Sequence, residues 1–147
     1  FTLVEPMKIR PYEQTDEASV IRLWQACGLV VPQNDPKKDI QRKLKVQPEL
    51  FLVGETDGTV VASVMAGYEG HRGWINYLAV SPEHRRQGLG RQIMAAAESK
   101  LFNMGCPKIN LQVRATNTAV IEFYAKLGFG DDQVMGLGKR LEKDERS

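Results

Sequence analysis

The segment Ser81-Pro82-Glu83-His84-Arg85-Arg86-Gln87-Gly88-Leu89-Gly90 has residue types and a spacing suited to holding an anion. Gly88 and Gly90 let the backbone turn tightly and approach a ligand, and a helix that begins there leaves its first-turn N–H groups without internal partners. Arg85, Arg86 and Arg91 add formal positive charge to the positive end of the helix dipole, a combination matched to a pyrophosphate. Read alone, the same residues also fit an ordinary basic turn between a strand and a helix. Two other phosphate motifs are excluded. The segment has neither the G-x-x-x-x-G-K-[ST] of a nucleotide-hydrolysing loop nor a G-x-G-x-x-G followed by an acidic residue on a second parallel strand. Gly136-Leu137-Gly138-Lys139 is too short for either, so ATP and NAD are poor candidates.

A second constellation is Asn117-Thr118-Ala119-Val120-Ile121-Glu122-Phe123-Tyr124-Ala125-Lys126-Leu127-Gly128-Phe129. By itself it reads as a capped amphipathic helix, with Tyr124 a half-buried packing residue. Glu69, His71 and His84 are the other groups placed to move a proton; each falls in or beside an expected turn. Cys27 and Cys106 stand far apart with no His or Cys at metal-ligand spacing, so neither a metal site nor a disulfide framework is expected.

Positioning these groups takes a full domain, and the chain of 147 residues is long enough to bury a core without staples. Hydrophobic residues make up 42% and charged residues 26%, which excludes a disordered chain, and the net charge of +2 excludes an overall field that would gather nucleic acid. The basic helix expected after Asp35-Pro36 lacks stacking aromatics, which argues against a nucleic-acid module. No apolar run approaches the roughly 20 residues that span a bilayer, so a cytoplasmic protein without membrane partners is expected. Residues 7–141 read as one domain, 1–6 as an upstream extension or cloning remnant, and 142–147 as a tail that frays.

Met7 to Tyr12 fits a first strand, and Thr15-Asp16-Glu17 starts a helix that Gly28 ends. Leu50 to Glu55 and Thr59 to Tyr68 form a hairpin about Asp57-Gly58, and Trp74 to Val80 follows as a third antiparallel strand. Gly88 to Met104 is a helix with an apolar stripe, Lys108 to Arg114 a strand, and the Asn117 helix precedes two short strands at 129–135 and 137–141. A strand, helix and strand in that order suggest a right-handed crossover.

Taken together, a strand, R-x-x-G-x-G, a helix, another strand and N-x-x-A/V-x-x-F-Y-x-x-x-G-F resemble the GNAT superfamily of N-acetyltransferases from Met7 to Leu141. Asn34-Asp35-Pro36, Gly67 to Gly73, Gly105 to Ile109 and Leu137 to Leu141 look closest to bacterial YpeA-type acetyltransferases. Leu111-Gln112-Val113-Arg114 is similar to RimI-type enzymes that acetylate a protein N-terminus, except that Gln112 stands where they carry a basic glutamate. The resemblance implies an α/β (α+β) fold, with a mixed, mostly antiparallel sheet of six to seven strands, four helices and splayed central parallel strands. It implies acetyl-coenzyme A as co-substrate with no metal, an amine acceptor, and a superfamily in which homodimers are frequent.

On the matched positions, the resemblance implies that Leu78, Ala79 and Val80 pair with the pantetheine arm, with the Leu78 N–H facing the carbonyl oxygen as it becomes an oxyanion. Arg85, Arg86, Gln87, Gly88, Leu89, Gly90 and Arg91 then hold the pyrophosphate, Asn117 touches the pantetheine, and Tyr124 is the general acid. Glu69 is the first candidate for the base, with Asn76 and Tyr77 as water-holding neighbours, ahead of His71 and His84. The expected reaction is direct attack by a primary amine of a small molecule or amino acid. A protein or peptide N-terminus as acceptor is the alternative within enzymes, and a non-catalytic acyl-coenzyme A module is the alternative outside them.

Overall fold

The computed structural model describes residues 6–144, so residues 1–5 of the expected extension and 145–147 of the expected tail lie outside the described residues. Backbone contacts gather the chain into a larger unit, which runs to Asn110 and includes Asp144, and a smaller one, Leu111–Lys143.

The larger unit is a sheet with order β1-β2-β3-β4-β5, in which β1 is Lys8–Pro11, β2 Phe51–Thr56, β3 Thr59–Tyr68, β4 Gly73–Val80 and β5 Ile109–Asn110. The first four strands are antiparallel neighbours and β5 lies parallel to β4. Asp57 at φ 51° and Gly58 at φ 75° make the primed turn that the Asp-Gly pair predicts between β2 and β3. Helix α1 (Glu17–Ala26) and α2 (Pro36–Lys43) follow β1, and α3 (Leu89–Asn103) joins β4 to β5. Asp35 caps α2, its Oδ1 accepting from Lys37 N at 3.0 Å and Lys38 N at 3.3 Å, and Pro36 fills the first helical position as expected.

Of α2, Ile40 is fully buried, and it joins Val20, Leu23 and Trp24 of α1 over Phe51, Val53, Met65 and Ala79 of the sheet. Leu89, Ile93, Met94, Ala97 and Leu101 are the buried stripe of α3, the same positions that the sequence period selects. Gly73 starts β4 where backbone, α3 and the Cys106 loop converge: a Cβ there would stand 2.8 Å from Cys106 Sγ and 3.2 Å from Leu101 Cδ1. Gly73 N donates to Lys108 O at 2.8 Å, which sets the parallel register of β5.

Arg10 ties β1 to the start of α1. Its guanidinium meets Asp16 through two bonds of 2.8 and 2.9 Å and Glu55 through one of 3.2 Å, and Glu13 N also donates to Asp16 at 2.8 Å. The Arg10 hydrogen bonds hold the Asp16 carboxyl below its usual range, against the opposing effect of burial. A carboxylate so depressed contributes stability above about pH 4, its unfolded pKa, and that contribution is lost as pH falls through the folded value. Asp16→Asn is therefore expected to cost about 2 kcal/mol at pH 7 in denaturant unfolding. The gap to wild type should close as pH falls through the lowered folded value. A constant gap across that window would show that the cost is packing.

The smaller unit holds α4 (Thr118–Lys126), and among the described residues it has no strand at 129–135 or 137–141. Among the described residues the sheet thus has five strands and the fold four α-helices, which corrects the expected six to seven strands. β5 is likewise two residues rather than the span Lys108 to Arg114. Leu111 onward leaves the sheet, and Val134, Met135, Leu137 and Leu141 are all more than three-quarters exposed, so their apolar alternation has no cross-strand partner to stabilise it.

At the tail, Asp144 is buried, with its oxygens 2.7 and 2.8 Å from the Arg42 guanidinium, and that bond holds its carboxyl down at about 2. It is anchored to α2 rather than frayed.

Candidate active site

β4 is regular only at its ends. Its register with β3 pairs Met65 with Asn76 and Ser63 with Ala79, and breaks between them, so Tyr77 and Leu78 have no Cα partner on β3. Tyr77 sits at φ 51°, a left-handed conformation that costs a bulky residue on the order of 1–2 kcal/mol. Several contacts hold it there. Its ring stacks on Trp24 with centroids 3.8 Å apart, its hydroxyl donates to Asp39 Oδ2 at 2.6 Å, and its carbonyl accepts from Ser63 Oγ at 2.9 Å. Burial, then the bond to Asp39, push the Tyr77 phenol well above its ordinary pKa, so it is neutral and a donor.

Along its other edge, β4 pairs with β5 only at Gly73 and Trp74. The backbone from Ile75 to Val80, which carries the predicted Leu78, Ala79 and Val80, extends beyond that parallel ladder, and the parallel pair stands at the end of the strand order rather than at its centre, which corrects the expected central parallel strands.

After Val80 the chain makes a short 3-10 turn at Pro82–His84, then extended Arg85, left-handed Arg86 at φ 65° and left-handed Gly88 at φ 76°, before α3 begins at Leu89. No side chain caps Gly88, so the amide dipoles of this helix start are left to whatever anion reaches them. Arg85, Arg86, Gln87, Gly88 and Arg91 are exposed, Gly90 is half-buried and Leu89 is buried as part of the α3 stripe. Leu89 therefore contributes backbone, not side chain, to this turn. The Arg85 guanidinium lies 3.8 Å from Cys27 Sγ, which itself donates to Val80 O at 3.3 Å, so the end of α1 backs the turn. His84 Nδ1 is buried without a protein partner at the same place.

Glu69 stands at the opposite end of β4, in the turn that leads into Gly73. Its Oε1 accepts from the backbone N–H of both His71 and Arg72, and these bonds, the Arg72 one foremost, lower its pKa although the side chain is exposed. Nearby, the Gln47 amide pairs with both backbone groups of Tyr68 at 2.8 Å each and closes the end of β3. Across β4, the Glu69 turn and the Arg85 turn are separated by about 23 Å of extended chain.

The remaining predicted residues belong to the smaller unit. Asn117 is exposed and caps α4, with Oδ1 accepting from Val120 N at 3.4 Å. Tyr124 is buried one turn from the helix end, where Gly128 at φ 96° lets Phe129 N bond back to Tyr124 O at 3.0 Å. Phe129 and Phe123 meet the Tyr124 ring edge-on at 5.5 and 5.2 Å. Burial alone pushes the Tyr124 phenol up to about 12. Gln112 is exposed in the same unit, and its Nε2 would lie 3.0 Å from a Cβ on Gly136.

Sequence reasoning missed the buried polar contacts of Ser63 with Trp24 and Tyr77. The one signal available was a serine inside an otherwise apolar strand, Val60-Val61-Ala62-Ser63-Val64-Met65. Among the described residues, no group of three or more His, Cys, Asp or Glu side chains is placed to hold a metal ion, and no helix is long and apolar enough to cross a membrane. An open concavity of about 350 Å³ between Arg22 of α1 and Thr59 of β3 includes none of the predicted coenzyme-binding residues.

The profile of the acetyltransferase (GNAT) family matches residues 17–129. An acetyltransferase of Yersinia pestis (strain Pestoides F) is 49% identical over 139 residues, covering 95% of this chain and 99% of the relative. An acetyltransferase of Sodalis glossinidius is 49% identical over 140 residues with the same coverage of both. Among solved structures, Ard1 of Thermoplasma volcanium superposes with a TM-score of 0.75 at 28% identity, over 84% of this chain and 82% of that one. The ribosomal-protein-S18-alanine N-acetyltransferase of Escherichia coli gives 0.74 at 25%, over 87% and 80%. PaiA N-acetyltransferase of Thermoplasma acidophilum, solved with coenzyme A, shares the fold with a TM-score of 0.77 at 19% identity, over 90% of this chain and 94% of that one.

Proposed function

Because the chain belongs to the GNAT acetyltransferase family and is an acyltransferase, we propose that it moves an acetyl group from acetyl-coenzyme A to a primary amine of a small molecule or amino acid by direct attack. The observation that carries the donor half is the uncapped start of α3 at Gly88, preceded by exposed Arg85, Arg86 and Gln87. Backbone N–H groups there receive the pyrophosphate while the two guanidinium groups and Arg91 neutralise it. In this reading residues 7–141 act as one catalytic domain in the cytoplasm. Leu78, Ala79 and Val80 pair with the pantetheine arm, and Asn117 touches it while capping α4.

Attack on the thioester puts negative charge on the carbonyl oxygen, and the Leu78 N–H is the donor assigned to it. The Tyr124 hydroxyl then supplies the proton that the departing thiolate needs. For the base, Glu69 is the candidate that the sequence singles out, and its surroundings favour a different job. A carboxylate held by two backbone N–H groups, with its pKa lowered, is a weak base and a good turn cap. Glu69→Gln keeps the Oε1 acceptor and deletes the titration, so kcat should stay within about two-fold. A loss of about 100-fold, with the acid limb of the pH profile removed, would return the base to Glu69.

The likeness to the ribosomal-protein-S18-alanine N-acetyltransferase favours a second acceptor class, the α-amine of a peptide. Coenzyme release on mixing acetyl-coenzyme A with a panel of small amines and N-terminal peptides separates the readings. Turnover on amines or amino acids supports the first, and turnover on peptides alone replaces it with the second. Tight coenzyme binding without release on any acceptor would identify a binding module.

A further inference from the structure

We infer that Trp24 and Ser63 are positioning residues that aim and polarise the peptide between Tyr77 and Leu78. The inference rests on the reading above, in which the N–H of that peptide is the oxyanion donor. Both side chains are fully buried, so each hydrogen bond they make replaces water that cannot reach them. Trp24 Nε1 donates to Ser63 Oγ at 2.9 Å, and Ser63 Oγ donates onward to Tyr77 O at 2.9 Å. The relay has a single direction, because an indole nitrogen only donates and its bond leaves the serine hydrogen for the carbonyl.

The peptide bond is planar and trans, so its C=O and N–H point in opposite senses. Fixing the Tyr77 carbonyl on Ser63 therefore fixes the Leu78 N–H away from Ser63. A carbonyl that accepts a hydrogen bond also makes its own N–H a stronger donor, since chains of hydrogen bonds polarise one another. Trp24 acts twice, because its ring also stacks on Tyr77 at 3.8 Å and supports the left-handed backbone at φ 51°. An ordinary ladder would hold this peptide through backbone partners on β3, but Tyr77 and Leu78 lie in the register break, and the buried hydroxyl takes over that task.

The test reads the thioester carbonyl directly and needs no acceptor. Acetyl-coenzyme A labelled with carbon-13 at the carbonyl is bound to wild type, Ser63→Ala and Trp24→Phe, and isotope-edited infrared difference spectra are recorded beside calorimetric Kd values. Wild type should shift the carbonyl band to lower wavenumber. Ser63→Ala should lose about half of that shift or more, with Kd within about two-fold. Trp24→Phe keeps an aromatic ring against Tyr77 and removes the indole donor together with part of the ring volume, so it should show a smaller loss of the same sign; it also supplies the reading if Ser63→Ala does not fold. Val53→Ala, a buried core position outside the relay, should lower Tm and keep the full shift, which separates aim from general loosening. An unchanged shift in both relay variants would overturn the inference alone. A wild type that binds acetyl-coenzyme A without any shift would overturn the Leu78 assignment, and one that does not bind would overturn the proposed function.

Discussion

Tyr124→Phe should lower kcat by about 100-fold while Kd for acetyl-coenzyme A stays within about two-fold. The substitution removes one oxygen and keeps the ring, with its edge-on contacts to Phe123 at 5.2 Å and Phe129 at 5.5 Å, so Tm should move little. At its ordinary pKa of about 10, a phenol lies close to a thiol at about 8.5. Burial pushes Tyr124 up to about 12, which widens the mismatch. The widening is smaller than it looks, because a thiolate released in the same dry surroundings is raised by desolvation as well. What burial adds is protonation: the hydroxyl keeps its proton throughout the neutral and mildly alkaline range. The wild-type kcat profile should therefore show no alkaline decline from this group below about pH 10. An unchanged kcat in Tyr124→Phe would remove the hydroxyl from the reaction.

Much of the frame that places these groups was legible because it depends on local signals. Asp35-Pro36 set the start of α2, Asp57-Gly58 turned the hairpin, and Gly28 and Gly128 each closed a helix in a left-handed conformation open to glycine. The turn before α3 was legible for the same reason, since Gly88 at φ 76° and the arginines before it are contiguous. What failed was what depends on a distant partner. Apolar alternation through Val134, Met135 and Leu137 reads as a strand, yet alternation only offers one face, and no neighbouring strand accepts it among the described residues. The register break at Tyr77 was invisible because the residue is not glycine. Its backbone is held by Trp24, 53 positions before it, and by Ser63 and Asp39. Glu69 shows the same limit from the other side, since its position beside β4 suggests chemistry while its hydrogen bonds to His71 and Arg72, which spacing does not reveal, also make it a local turn cap.

Removing the charge of the turn should separate coenzyme recognition from catalysis. Arg85→Ala combined with Arg86→Ala is expected to weaken acetyl-coenzyme A by about 50-fold, the order of two charge-assisted hydrogen bonds lost. Acetylpantetheine carries the same thioester and lacks the pyrophosphate, so its kcat/KM should change by less than about two-fold in the same variant. Both residues are exposed, and Arg85 makes a long contact, 3.8 Å, to Cys27 Sγ, so the fold should tolerate the change. Salt provides an independent reading. Coenzyme binding to wild type should weaken as ionic strength rises, and the double variant should lose most of that dependence, because the helix dipole that remains at Gly88 is only a partial charge. Equal losses for the two donors would mean that the arginines support the protein rather than the ligand. A selective loss for the donor with the pyrophosphate is the result that ties the turn before α3 to the coenzyme, whichever amine proves to be the acceptor.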